Sequence, residues 1–338
     1  MKALKNTALS MLDLVAVREG GTVAEALAIC LRTAQHAESL GFNRYWVAEH
    51  HNMAGVASSA TAVIVGHVAG GTKTIRVGSG GIMLPNHAPL VVAEAFGTLA
   101  ELYPNRIDLG LGRAPGTDPA TMRALRRDRR ETEDDFPRDV AELQHLLSTA
   151  EPGQRLIAMP GAGTNVPIWL LGSSLFSAKL AAERGLPYAF ASHFAPRLLL
   201  QALDVYRSHF RPSETLSKPH VVVGLPLIAA PTDDEAQYLA SSTYQRVLGI
   251  LTGDRRRLLP PVADFMAQRS PQERAAIADF LACAIVGGPK SVQTGFKVMY
   301  EATEADEFML VCDIFDPALR HRSLDIANTA MLAIRQGS

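Results

Sequence analysis

Apolar positions along the chain switch between two periods. A short apolar run at Leu9 to Val17 reads as a strand, and Thr22 to Leu40 carries apolar residues at helical spacing and stops at Gly41. The same pair returns as Arg44 to Glu49, then Ser58 to Ala69 closed by Gly70 and Gly71. A third pair is Ile75 to Leu84 followed by Pro89 to Leu102, with proline at the first helical position. A fourth strand is predicted at Arg106 to Gly112, after which the rhythm breaks. Residues 115–165 hold a charged stretch, Arg123 to Arg130, a helical pattern from Glu131 to Leu147, and a loop rich in Gly and Pro. They read as an insertion.

Regularity resumes with strands at Pro167 to Leu171 and Tyr188 to Ser192, each followed by a helix, Leu175 to Arg184 and Pro196 to Phe210. The seventh strand, His220 to Ala229, precedes a helix at Asp233 to Leu251. The eighth, Glu307 to Ile314, precedes a helix at Pro317 to Ile334. Two further helices are predicted between them, Pro271 to Ile285 and the crossover helix Pro289 to Ala302, with residues 253–287 as a second insertion. Eight strand–helix units with short, continuously apolar strands predict an α/β fold, a (β/α)8 TIM barrel with insertions after strand four and before strand eight. The whole of residues 1–338 is expected to form one such domain. A doubly wound open sheet shares the alternation and is the competing architecture.

Composition narrows the function classes. The 33 Lys and Arg against 34 Asp and Glu leave a net charge of -1, without the basic excess that nucleic-acid phosphates demand. No apolar run approaches the roughly 20 residues of a membrane-spanning helix, and Asp13 interrupts the N-terminal run with no small-residue cleavage site after it. Neither nucleic acid, membrane nor signal peptide is expected. Cys30, Cys283 and Cys312 are far apart, lack paired spacing and fall in apolar segments, as buried thiols of a cytoplasmic protein would.

In a barrel of this kind the chemistry sits at the C-terminal ends of the strands. Strand two ends in Glu49-His50-His51-Asn52. Neighbouring residues on a strand face opposite ways, so at most one of the two imidazoles is expected to face the barrel centre. Acid/base work suits a histidine there, with Glu49 fixing a tautomer. A metal site is disfavoured, because adjacent histidines chelate poorly and no HxH or HExxH companion is present. The plain alternative is a pair of surface histidines in a loop.

Strand three carries Gly78-Ser79-Gly80-Gly81, and glycine within a strand marks either a bulge or a close approach to a ligand. Strand four ends in Gly110-Leu111-Gly112-Arg113, where Arg113 is either a donor to an anionic or carbonyl-rich ring or a solvated loop cation. Strand five ends in Gly172-Ser173-Ser174, with Ser177 in the next helical turn. Such a turn suits phosphate through its free N–H groups and hydroxyls, unless the serines merely cap the helix. Together the four steps suggest a planar, phosphate-bearing cofactor across strands two to five, and without GxGxxG or GxxxxGK[ST] a flavin mononucleotide fits best.

These segments resemble the bacterial-luciferase-like flavin monooxygenases. The resemblance rests on LSMLDL at the start, RYWVAEHHN, IRVGSGGIMLPNHAPLVVAE, RIDLGLGRAPGTDP and WLLGSSLFSAKLAAERGLPYAFA, covering residues 9 to 210, with a weaker echo in VGGPKSV and EFMLVCDIFD. It implies a dimeric barrel that takes reduced FMN from a separate reductase and uses it with O2 to oxygenate a small organic substrate. It also implies that His50 is the catalytic histidine and that Gly80-Gly81 carries a non-proline cis peptide under the flavin ring. Arg113 then lies near the flavin, and Ser173, Ser174 and Ser177 form the phosphate turn. Ser173 and Gly112 stand where the luciferase subunit itself has an acidic residue and a cysteine, which places the chain in a non-luminescent branch. A basic residue of the first insertion, Arg126 or Arg127, is expected to complete the phosphate site. The apolar residues Leu258, Leu259, Val262, Phe265 and Met266 of the second are expected to line or lid the substrate cavity. The rival readings are a deazaflavin (F420)-dependent dehydrogenase, a flavin-binding protein without catalysis, and a metal hydrolase using His50 and His51; the last leaves the glycine steps without a role.

Overall fold

The structure is a computed structural model that describes residues 4–113, 119–125, 135–254 and 256–337. Its strands are β1 (Ala8–Asp13), β2 (Arg44–Val47), β3 (Arg76–Met83), β4 (Ile107–Gly112), β5 (Ile168–Gly172), β6 (Tyr188–Phe190), β7 (Val221–Ala229), β8 (Ile285–Gly287) and β9 (Glu307–Val311). The helices are α1 (Val23–Ser39), α2 (Thr61–Gly71), α3 (Pro89–Leu102), α4 (Pro119–Leu125), α5 (Asp135–Leu147), α6 (Leu175–Glu183), α7 (Leu199–His209), α8 (Asp233–Thr252), α9 (Pro271–Phe280), α10 (Pro289–Thr303) and α11 (Pro317–Gln336). All strand pairs are parallel. β1 to β7 and β9 run in ring order, and the β6–β7 and β9–β1 pairings close them into an eight-stranded barrel.

Period-two alternation builds two cores from one ring of strands. Met11 and Tyr45 point outward into the layer under the helices, while their neighbours Leu12 and Trp46 point inward. Inside the barrel they meet Ala48, Trp169, Ala189, Val222, Met309 and Val311, with Trp46 and Trp169 edge to face at 5.3 Å between centroids. Both faces are buried, so the strands read as apolar runs.

The predicted helix Pro271 to Ile285 is shorter in the structure. α9 ends at Phe280, and Ile285–Gly287 becomes β8, pairing with Leu227–Ala229 of β7. Those three residues rise above Val222–Pro226, where β7 pairs with β9, and β8 satisfies an edge that would otherwise be bare. In the first insertion α5 buries Phe136, Val140, Leu143, Leu146 and Leu147 in the outer core.

The N-terminal end of the barrel is plugged by charge. Arg44 donates to Asp108 at 2.6 Å and to Glu307 at 2.7 Å, and Arg76 reaches the other oxygen of Asp108 at 2.6 Å. Ser10 and Asn43 also donate to Glu307, and Trp46 Nε1 to Asp108. Burial alone would raise the Glu307 carboxyl, but the Arg44 charge, with His220, Arg44 and Ser10 beside the carboxylate, brings it down to about 2.

Candidate active site

At the opposite end lies a cavity of about 510 Å³, a size that holds a drug-sized ligand. Glu49, His50, Gly80, Gly81, Gly112, Arg113, Gly172, Ser173, Ser174 and Ser177 all line it. Of the residues expected to catalyse or to hold the cofactor, His51 alone among those described does not. The strand alternation carries on past β2: His50 faces the cavity, while His51 turns to donate from Nε2 to Glu49 Oε1 at 2.8 Å. His87 Nε2 reaches the same oxygen at 2.8 Å, and the Met83 N–H reaches Oε2 at 3.2 Å. Glu49 thus ties the loop after β2 to the end of β3. Burial works against its ionised form, but His87 and His51 together hold its pKa below the ordinary carboxylate value. Glu49, His51 and His87 also bring three ligand-type atoms within 4.8 Å of one another, a grouping that sequence spacing did not show because His87 comes from the loop after β3. Each histidine nitrogen in it already meets the carboxylate as a hydrogen bond would.

The glycines divide into two kinds. The Gly80–Gly81 bond is a non-proline cis peptide, at the step where the resemblance implied one, and the β3–β4 register shifts between Ser79 and Ile82. A Cβ on Gly80 would lie 2.6 Å from Leu12 Cδ1, and one on Gly81 2.7 Å from the Gly110 carbonyl oxygen. Neighbouring strands therefore demand glycine here, ligand or no ligand. Gly112 differs: a Cβ there would meet only the Ile82 oxygen, at 3.9 Å, and would project into open space.

Arg113 and the serine turn come together through an aromatic contact. The Arg113 guanidinium lies 4.4 Å over the Phe176 ring, in the first turn of α6. Ser174 caps that helix, accepting from the Ser177 N–H, and Ser177 Oγ donates back to the Ser174 carbonyl at 2.9 Å. The serines cap and also face the cavity, so a cation, three hydroxyl groups and the unsatisfied N–H groups of a helix N-terminus share one corner. Arg126 and Arg127 lie outside the described residues.

The insertions contribute differently from expectation. Leu258, Leu259 and Phe265 line a neighbouring smaller cavity, and Val262 and Met266 line neither. Phe280 and Leu281 are the residues of the second insertion that wall the main cavity. None of the described residues 119–165 lines it, because α5 packs its apolar face against α3 and the outer core. Sequence reasoning also passed over His193, one residue beyond the predicted end of its strand, and the Arg246–Asp313 pair. His193 and Asp313 follow β6 and β9 at the same C-terminal level as the residues that were found, and extending the strand-end search past strand five would have reached both. Burial first, then His50 and Arg246 nearby, push the His193 imidazole down to about 3, so the ring is neutral near pH 7. Its Nδ1 is buried without a hydrogen-bond partner. Arg246 donates to Asp313 at 2.8 Å.

The sequence model of the luciferase-like monooxygenase family matches residues 8–307, and the chain belongs to that family. It is an oxidoreductase of the barrel type that the geometry describes. An uncharacterized Bacillus subtilis protein, YvbT, is 52% identical over 323 residues, covering 95% of this chain and 96% of that one. A luciferase-like monooxygenase of Escherichia coli K12 is 48% identical, covering 96% of both. The N-acetyl-S-alkylcysteine monooxygenase of Bacillus subtilis is 35% identical over 235 residues, 68% of this chain and 70% of that one. Among solved structures, apo-MsnO8 superposes with a TM-score of 0.86 at 34% identity over 96% of this chain and 98% of that one. The fold is shared further with the oxygenating constituent of 3,6-diketocamphane monooxygenase of Pseudomonas putida in complex with FMN (TM-score 0.70, 17% identity, 96% and 98% covered). An F420-dependent secondary alcohol dehydrogenase has it as well (0.69, 16%, 96% and 99%). No described helix is long and apolar enough to cross a membrane.

Proposed function

We propose that the protein is an FMNH2-dependent monooxygenase that oxidises a small organic molecule with O2. The observation that carries this reading is that the α6 turn, Arg113, the Gly112 opening and His50 all face one cavity. A phosphate would be held by Ser173, Ser174, Ser177 and the first N–H groups of α6, with Arg113 supplying the balancing charge. A flat ring system would then extend across the space that Gly112 leaves open, towards Gly80 and Gly81. Reduced flavin, when bound, supplies the electrons that activate O2. His50 moves protons at the reacting face, and the neutral His193 offers a hydrogen bond to the substrate. Leu12, Leu14, Val247, Phe280 and Leu281 keep water from the reaction and give the substrate an apolar surface.

The reading includes reduced flavin delivered by a separate reductase, a homodimer and a cytoplasmic setting. A sedimentation experiment showing a clean monomer would remove the dimer and leave the chemistry untouched. The fold also serves F420-dependent enzymes, so the deciding experiment is an anaerobic titration with reduced FMN and, in parallel, reduced F420, followed by air and analysis of products from a panel of small organic compounds. Preferential FMNH2 binding with an oxygenated product is expected. Preference for F420, with hydride transfer and no need for O2, would make it a dehydrogenase instead. Binding of flavin with no product from any compound would favour a carrier without catalysis.

A further inference from the structure

A second cavity of about 330 Å³ adjoins the first, and Met53, Arg246 and Ile250 face both. Arginine dominates its chemistry: Arg246, Arg256, Arg257 and Arg269 line it, with Asp254 as the acidic residue on its wall. Arg256 is paired with Asp254. Arg257 spends one N–H on the Gly21 carbonyl at 2.9 Å, and Arg269 lies 4.8 Å over the Phe265 ring with its Nε buried and unpartnered. Neither of these two guanidinium groups forms an ion pair among the described residues, although Glu273 lies near enough to Arg269 to feel its charge. Arg246, at the boundary, gives one of its five N–H groups to Asp313 and has no other acceptor among the described residues. In a chain whose net charge is -1, this local excess is a matter of placement, and it raises the local concentration of anions at one mouth of the main cavity.

This corner is separate from the serine turn, because Ser173, Ser174, Ser177 and Arg113 line only the main cavity. The site thus has two cationic poles and an apolar stretch between them, and the phosphate of one flavin accounts for one pole only. From this geometry we propose that the arginine-lined cavity binds the acidic group of an organic anion, a carboxylate or sulfonate, whose apolar body lies in the main cavity. Guanidinium groups suit such acids because they offer paired, coplanar donors. That this anion is the substrate rests on the monooxygenase reading; that the cavity binds it does not.

The test is calorimetric titration of the intact protein with octanoate, octane-1-sulfonate and octan-1-ol, each with and without saturating FMN. FMN blocks the serine turn as a rival anion site. Both anions are expected to bind about tenfold tighter than the alcohol, and the gap should narrow as salt is added. In Arg257→Gln/Arg269→Gln the gap should close while affinity for octan-1-ol stays the same. If that double variant loses its thermal transition, Arg257→Gln alone, at an exposed position, carries the test and should narrow the gap. Equal affinity for acid and alcohol, or a preference that survives these substitutions, would overturn the proposal. So would inorganic sulfate that displaces octanoate as well as octane-1-sulfonate does, since the site would then hold small ions without regard to an organic body. Flavin affinity measured separately keeps the two readings apart: no flavin binding with the anion preference intact removes the monooxygenase, and flavin binding with no anion preference removes the subsite.

Discussion

The two ends of the barrel both bury charge, and they treat it in opposite ways. At the N-terminal end Arg44, Asp108 and Glu307 are 5%, 0% and 1% exposed, and the carboxylates are answered by arginine, tryptophan, serine or asparagine donors. At the C-terminal end the polar groups surround empty volume: His193 Nδ1 has no partner, Arg246 has N–H groups to spare, and Gly112 faces open space. Carboxylates answered in this way stabilise a fold and have little left to offer a ligand, although Trp169 Nε1 and His220 Nε2 beside them are buried without a hydrogen-bond partner. An unsaturated network costs stability and can recover it on binding, which is the usual position of a functional site.

Substitutions at each end can break that contrast. The largest effect is expected at the mouth, where His50→Ala should lower turnover by roughly 10²- to 10⁴-fold while the dissociation constant for FMN holds, measured by steady-state product formation and flavin titration. Unchanged turnover would remove His50 from the chemistry. At the base, Arg44→Ala leaves the buried Glu307 without its arginine and Asp108 with Arg76 alone, and should cost about 3–5 kcal/mol, read by chemical denaturation. Activity per folded molecule should survive, because Arg44 does not line the cavity. Loss of turnover without loss of stability would reverse the assignment of the two ends.

The glycines sharpen the same point. Gly81→Ala drives a methyl group towards the Gly110 carbonyl and should destabilise the fold by about 1–3 kcal/mol, as overpacking does. Gly112→Leu fills open space, so the thermal transition should barely move while FMN affinity falls by about tenfold or more. Equal destabilisation by both would mean that Gly112, too, is held by packing.

Acid should weaken the two ends in sequence. His193 has a folded pKa of about 3, below its ordinary value of 6.5, so its contribution is present above pH 6.5 and is lost as the pH falls towards 3. Glu307 has a folded pKa of about 2, below its ordinary 4.5, so its contribution is lost only as the pH falls from 4.5 towards 2. Stability measured against pH should therefore begin to decline below 6.5, where His321, held down to about 4, contributes as well, and His193→Gln should shrink that first decline and leave the second. A single decline starting near 4.5 in the unsubstituted protein would show that His193 does not contribute.

Much of the architecture was legible because the barrel repeats a local signal. Pro89–Leu102 runs as a helix between the residues its pattern marked, and all eight barrel strands stand where apolar runs predicted them. β8 was not legible: IVG continues a helical pattern in sequence, and only the bare upper edge of β7 makes it a strand. Within the site, the chain order of Glu49, His50 and His51 marked a chemical locus, and the period of a strand foretold that only one imidazole would face the centre. What that period cannot carry is partnership across strands. His87 meets Glu49 from a residue 38 positions away, and Asp313 meets Arg246 across 67.

By itself the sequence determined the barrel, the end at which chemistry gathers, and the serine, glycine and histidine steps that face it, because each of these follows from short-range periodicity and turn chemistry. Tertiary structure alone decided which glycines serve packing and which leave open space in the cavity, which histidines are held neutral, and where the arginines of the second insertion concentrate. Those properties depend on distance, burial and field, and they come into being only when remote segments share the same few ångströms.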